Sequence, residues 1–373
     1  MIPATAYQWV YILLILLLCI VKCLQIFPYS QHKFLVGASS EWRKACILSF
    51  FLIIFMGARP IDRVFADTVG YAQGYEIVRS GWLDTSFQEE RGEVLWAFIH
   101  DSCAHLGWPV YVWFTLIEAL YIGLVLIACY RMMRQNVYMA MLFVFSSFSF
   151  FSYGVNGIRN GMACSLIILA LSYYVGNKRH KVIALLLCCC AFYIHHSTIL
   201  PALCMIASDL FIKKPSWSII FWFLSIGFSL TIGGQIESFF AGLGFDNRLA
   251  DYIQGQNDLY SMAGFSHVGF RWDFLLYSCM PILLGVYLII KKKRIDKQYQ
   301  LLFNTYVLSN AFWIMLIRAS FSNRFAYLSW FMYAIVLAYP LLKIPIWEKQ
   351  GTNTSKILIA HVGFTFFMIC IYY

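Results

Sequence analysis

An all-α, polytopic transmembrane helix bundle is the fold this sequence predicts, and three observations carry the prediction. The chain is 61% hydrophobic and only 12% charged, with a mean hydropathy of +0.69, which leaves too few charges to cover a soluble surface. Its apolar runs, among them Trp9 to Val21, Ile47 to Met56, Trp217 to Ile232 and Phe364 to Tyr373, suit helices crossing a hydrocarbon core of roughly 30 Å at about 1.5 Å per residue. They also lack the alternation of a membrane β-strand, and only helices or closed barrels satisfy every backbone group inside lipid.

In chain order, spans are expected near residues 7–21, 45–57, 109–130, 137–151, 158–176, 181–195, 197–212, 217–233, 272–290, 299–317, 325–343 and 357–373, about 12 in a single integral membrane domain covering 1–373. The first run has no basic segment before it and no small-residue cleavage site after it, so it reads as a retained span rather than a signal peptide. The 12 cysteines fall almost entirely inside apolar runs, Cys188, Cys189 and Cys190 in succession. There they serve as small hydrophobes, and neither a disulfide framework nor a zinc site nor any cofactor is expected.

Short connections holding Arg131 and Arg134, then Lys178, Arg179 and Lys181, then Lys213 and Lys214, then Lys291 to Arg294 alternate with connections that lack lysine. The positive-inside rule makes the basic ones cytoplasmic and puts both termini outside. Of the 28 basic residues, 14 lysines and 5 arginines then fall inside, and the 9 outside are all arginine. The net charge of +10 is therefore a topology signal, and nucleic-acid binding is excluded as its explanation. Topology alone accounts for the missing lysines outside. The retained arginines point to anions, because the planar guanidinium fork suits phosphate or carboxylate as lysine does not.

Two outside segments are long. Within residues 58–108, the stretch Glu93 to Gly107 is apolar on one side but carries His100, Asp101 and His105, and is expected as an amphipathic surface helix. Glycines at 233, 234, 242, 244, 255, 264 and 269 mark residues 234–271 as a flexible external loop, plausible as a lid. There is no internal repeat or low-complexity tract.

Several constellations on that outer side carry chemistry. Asp67, Tyr71 and Tyr75 at spacings of four form one helical stripe able to stack on a sugar ring, or else tyrosines of an interfacial belt. S-Y-G-V-N-G-I-R-N-G, Ser152 to Gly161, sets Arg159 in the first turn of a span. Helix-end amides and an arginine there make an anion site; the alternative is an arginine snorkelling to water or paired with a carboxylate. His195 and His196 stand at the outer end of the sixth span, suited to relay a proton or to cap structurally. R-A-S-F-S-N-R, Arg318 to Arg324, packs two arginines, two serines and an asparagine between spans, while Arg271 and Asp273 at a third span end either join such a site or pair with each other. Glu118 sits mid-span, where a carboxylate is costly and a structural pairing is expected.

These residues resemble the EpsG family of Wzy-type polysaccharide polymerases. The likeness is carried by Arg159 followed by small residues, the basic turn N-K-R-H-K at 177–181, and I-H-H-S-T-I at 194–199. Asp67 with Tyr71 and Tyr75, Glu93 opening an apolar helix, and Arg324 with Tyr327 agree. The proline and glycine that typically follow the glutamate are Val94 and Leu95 here. The resemblance implies a GT-C-like membrane glycosyltransferase that joins oligosaccharide repeat units carried on undecaprenyl diphosphate into O-antigen, capsule or exopolysaccharide. It would act on the periplasmic side of a bacterial inner membrane, with a chain-length regulator as a possible partner. Arg159, Arg271, Arg318 and Arg324 would bind the diphosphate. Asp67, Glu93 and His195 are candidates for the group that takes the attacking hydroxyl's proton, and Tyr71, Tyr75, His196 and Tyr327 for sugar contacts. Rival expectations are a lipid-linked oligosaccharide flippase, which would need inverted repeats or paired broken helices, an O-antigen ligase, and a membrane O-acetyltransferase.

Overall fold

A computed structural model describes residues 2–36, 41–86, 92–175, 178–212, 214–242, 269–293, 295–319 and 322–372. Among these the chain is helical and contains no strand. The helices are α1 Ala4–Ile26, α2 Gln31–Val36, α3 Glu41–Gly57, α4 Thr68–Arg79, α5 Val94–His105, α6 Val110–Met133, α7 Val137–Phe145, α8 Phe150–Val155, α9 Ile158–Tyr174, α10 Lys178–Ile194, α11 Ile199–Leu210, α12 Pro215–Gly242, α13 Trp272–Tyr287, α14 Lys297–Met315, α15 Ser322–Lys343 and α16 Gln350–Tyr372.

They form two compact units. Unit 1 holds Met1–Thr198 with Ala338–Tyr373, and unit 2 holds Ile199–Leu337. In unit 1, α9 packs on both α6 and α10, α3 on α6, α1 on α16 and α4 on α5. Nearly every side chain of α9 is buried, as expected of a helix apolar all round. In unit 2, α14 packs on α11, α12 and α13.

Six stretches of the described residues are long and apolar enough to cross a membrane: Ala4–Ile26, Val110–Phe145, Pro215–Phe239, Trp272–Lys292, Ser322–Lys343 and Gln350–Ile371. α1 shows what their outer surface is made for. Tyr7, Tyr11, Ile15, Cys19, Cys23 and Ile26 are buried on one side, while Leu13, Leu17 and Leu24 stand exposed on the other. An apolar exposed face of that kind suits lipid rather than water.

Three expected elements come out differently. The span expected at 137–151 is two pieces, α7 and α8, because serines interrupt it: Ser146 Oγ donates to Leu142 O at 2.6 Å and Ser147 Oγ to Val144 O at 2.7 Å, competing with the helix ladder. Irregular backbone amid apolar helices is tolerated only where other groups satisfy it. Here Tyr11 donates to Phe145 O at 2.6 Å, Thr365 to Ser146 O at 2.7 Å, Tyr121 to Phe150 O at 3.0 Å and His361 to Phe143 O at 3.0 Å. The segment 197–212 yields a helix of only 12 residues, about 18 Å long. Residues 234–242 are helical rather than loop, following a kink in α12 at Ile232 (φ −126, ψ 24), and Gly233 is a contact position, since a Cβ there would sit 3.1 Å from Arg318 Cδ. The remainder of the expected lid, 243–268 with Gly244, Gly255 and Gly264, lies outside the described residues, as do Asn177, Lys213, Arg294, Ser320 and Phe321.

Candidate active site

The S-Y-G-V-N-G-I-R-N-G motif folds as α8, a tight turn and the start of α9. Its glycines are set by packing. A Cβ on Gly154 would collide with Met56 and come within 3.1 Å of Glu118 Oε2, and one on Gly161 would lie 2.7 Å from the Tyr153 carbonyl. Close approach of α8 to α9 turns the chain so that Arg159, in the first turn of α9, is only 6% exposed.

Opposite it stands Glu93. The backbone reaches it through Gly92 at φ +77, a conformation glycine adopts without cost. Glu93 occupies the N-cap of α5, yet its side chain makes no cap bond. Arg159 Nη1 instead donates to Glu93 Oε2, and His195 Nδ1–H donates to Oε1 at 2.9 Å. Val94 takes the first helical position of α5. His196 Nε2–H donates to the Gly92 carbonyl at 3.2 Å and stacks on Phe192 with centroids 4.6 Å apart. It therefore holds the backbone that delivers Glu93.

Burial by itself would raise the Glu93 pKa, but the hydrogen bond from His195 and the charge of Arg159 outweigh it and hold the carboxyl below its ordinary value. Glu93 is thus kept ionised. A carboxylate on Nδ1–H fixes the His195 tautomer and ring orientation, as in acid–base dyads generally. Among the described residues, the side-chain hydrogen bond of Arg159 runs from Nη1 to Glu93.

The remaining candidates divide. Asp67 is exposed at the start of α4, with its backbone N–H donating to Asn156 Oδ1 at 2.9 Å, which ties it to the motif carrying Arg159. Ala66 before it has φ +44, an uncommon value for a residue with a Cβ. Tyr71 reaches a cavity between α4 and α5. Tyr75 is fully buried, stacked on Trp113 at 4.7 Å and donating to Trp108 O at 3.0 Å. Tyr327 is buried as well, 1% exposed.

Arg271, Arg318, Arg324 and Tyr327 belong to unit 2, the others to unit 1. Arg271 is neutralised by Asp273, with bonds of 2.9 and 2.6 Å, so the pairing alternative holds there. Arg318 and Arg324 are exposed. Sequence reading missed Arg59, whose side chain is fully buried and whose Nη1 meets Glu118 Oε1 at 3.3 Å. The signal was Glu118 itself, since a carboxylate inside an apolar run needs a cation.

Fold and site together define a helical membrane protein with a buried carboxylate held between an arginine and a histidine at helix ends. The EpsG family model matches residues 44–373, and the chain belongs to the EpsG family. No curated protein and no solved structure matches it.

Proposed function

We propose that this chain is a polymerase that transfers a growing glycan from its lipid diphosphate to a hydroxyl of the next lipid-linked repeat unit, on the non-cytoplasmic face of the membrane. One observation supports it above the rest: Glu93, Arg159 and His195, drawn from three separate segments, converge on one another in a member of a polysaccharide-polymerase family.

The chemistry assigns each group a task. Attack of the acceptor hydroxyl on the anomeric carbon forms the new glycosidic bond and breaks the bond to the diphosphate, which departs with the electron pair. His195 takes the hydroxyl proton, with Glu93 stabilising the imidazolium that results. Arg159 turns its remaining N–H groups to the departing phosphate oxygens, whose charge develops in the transition state. Both phosphate and carboxylate reward a planar fork, so arginine serves both at once. Arg318 and Arg324, exposed in unit 2, are proposed as anion-binding residues on their guanidinium chemistry alone.

The test is a deletion strain complemented with variants, read by gel analysis of surface polysaccharide. Arg159→Ala and Arg324→Ala are expected to abolish chain growth while the protein still reaches the membrane, leaving lipid capped with a single repeat. Unchanged long chains would sink the proposal. Loss of all surface sugar on deletion would favour a flippase.

A further inference from the structure

A cavity of about 320 Å³ opens between α4 and α5, lined among others by Gly70, Tyr71, Gln73, Gly74, Trp96 and His100. Two of these are glycines one turn apart inside a helix, where glycine is the poorest residue short of proline. Packing does not require them, because a Cβ on either Gly70 or Gly74 would meet nothing within 4 Å. The helix gives up stability to keep a space empty of its own side chains.

Its lining mixes apolar Ile77, Val78 and Leu83 with polar groups, two of which have unmet hydrogen-bonding capacity. His100 is 4% exposed. Its Nδ1–H donates to Asp101 Oδ1 at 2.7 Å, and Asp101 Oδ2 accepts from Ser86 N at 3.0 Å. This carboxylate–imidazole arrangement fixes the ring, and Nε2 has no hydrogen-bond partner among the described residues. Trp96 lines the same cavity, and its buried indole N–H is likewise without an acceptor. Burial lowers the His100 pKa despite Asp101, so the imidazole is neutral at neutral pH and acts there as an acceptor.

We propose that this cavity is a subsite for one neutral sugar ring of the repeat unit, with His100 and Gln73 meeting its hydroxyls and Trp96 and Tyr71 its apolar edge. The described lining carries no lysine, arginine or ionised carboxylate, so it is not built for a diphosphate. A volume near the lower end of small-molecule pockets, roughly 300–1,000 Å³, admits one ring rather than a chain. Glu93 is the N-cap of α5, which carries His100 two turns later, so one helix connects the carboxylate of the proposed active site to the floor of this subsite. The origin of the sugar rests on the polymerase reading; the existence of the subsite does not.

The test uses the full chain in lipid nanodiscs and, as probe, the host's repeat-unit oligosaccharide freed from its lipid by mild acid. Binding is followed by tryptophan fluorescence, and polysaccharide length by gel in the complemented deletion strain. Gly74→Leu and Gly70→Leu fill the cavity without touching the fold, which an unchanged or higher Tm would confirm. Each is expected to weaken oligosaccharide binding by about tenfold or more and to shorten the polymer. Unchanged binding in both folded variants would overturn the proposal, as would native mass spectrometry showing that the variants expel a phospholipid while oligosaccharide binding is untouched. If wild-type protein binds the oligosaccharide and the leucine variants do not, yet deletion leaves chain length unaltered, the subsite stands and the polymerase reading falls.

Discussion

Among the described residues of unit 1, two carboxylate–arginine pairs are buried, and they are built for different ends. In Arg59–Glu118 both side chains are essentially inaccessible, at 0% and 1% exposure, and Arg59 also donates to Met56 O at 2.9 Å and Thr68 Oγ1 at 3.2 Å. Thr68 in turn donates to the Val155 carbonyl. Every partner is a piece of helix, so the pair ties α3, α4, α6 and α8 together. Glu93–Arg159 lies instead at the first turns of two helices, with a half-buried histidine on its second oxygen. A charge pair sealed among helices can only hold them, whereas one at helix ends, sharing its carboxylate with a titratable ring, can also move a proton.

Removing one half of the sealed pair breaks the comparison most severely. Glu118→Ala leaves Arg59 buried without a counter-charge and is expected to cost about 3–5 kcal/mol of stability, seen as lower Tm and poor recovery from the membrane. The double change Arg59→Met with Glu118→Leu should regain most of it. If Glu118→Gln instead lowers turnover with Tm unchanged, the division between the two pairs is wrong.

Next in size is Glu93→Gln, which keeps the shape of the carboxylate but not its charge. Polymer formation per folded molecule should fall by about a hundredfold or more, with a far smaller change in Tm than at Glu118. Arg159→Lys should not rescue an Arg159 defect, since lysine cannot engage a carboxylate and a phosphate through one planar fork.

A pH series sharpens the same point. The Glu93 pKa lies below its unfolded value of about 4.3. Its contribution to stability is thus fully present above that value and lost as pH falls through the lower, folded-state one. Wild-type Tm should therefore drop more steeply below about pH 4.3 than the Tm of Glu93→Gln. Equal slopes would mean that Glu93 is not held ionised by its neighbours.

The smallest effect belongs to Gly92→Ala. A Cβ at φ +77 would stand 3.2 Å from His196 Cε1, costing about 1 kcal/mol and displacing Glu93 enough to slow the reaction measurably without unfolding the chain.

How much of this could be read beforehand differs by kind. Apolar run length and the restriction of lysine to alternate loops depend on local composition, so the helical membrane class and the approximate places of α1, α3, α6, α9, α13 and α16 were legible. The candidates Arg159 and His195 were legible too, as odd polar residues beside apolar helices, and Glu93 through the family resemblance. Their meeting was not, because 66 and 102 residues separate Glu93 from its partners, and no local pattern encodes that distance. Tyr71 and Tyr75 show the same limit on one helix. Spacing puts them on a common stripe, but what packs over the stripe decides that Tyr75 stacks on Trp113 while Tyr71 faces a cavity.

By itself, then, the sequence determined the class, an all-α membrane protein whose outer connections are predicted to keep arginine alone, since hydropathy and charge sorting act on each segment independently. Only the tertiary structure decided which arginine meets Glu118 and which meets Glu93, that His196 holds a backbone carbonyl, and that α7 ends at two serines rather than continuing. Each of those outcomes depends on side chains from other helices satisfying a buried polar group, a condition that exists only once the helices are packed.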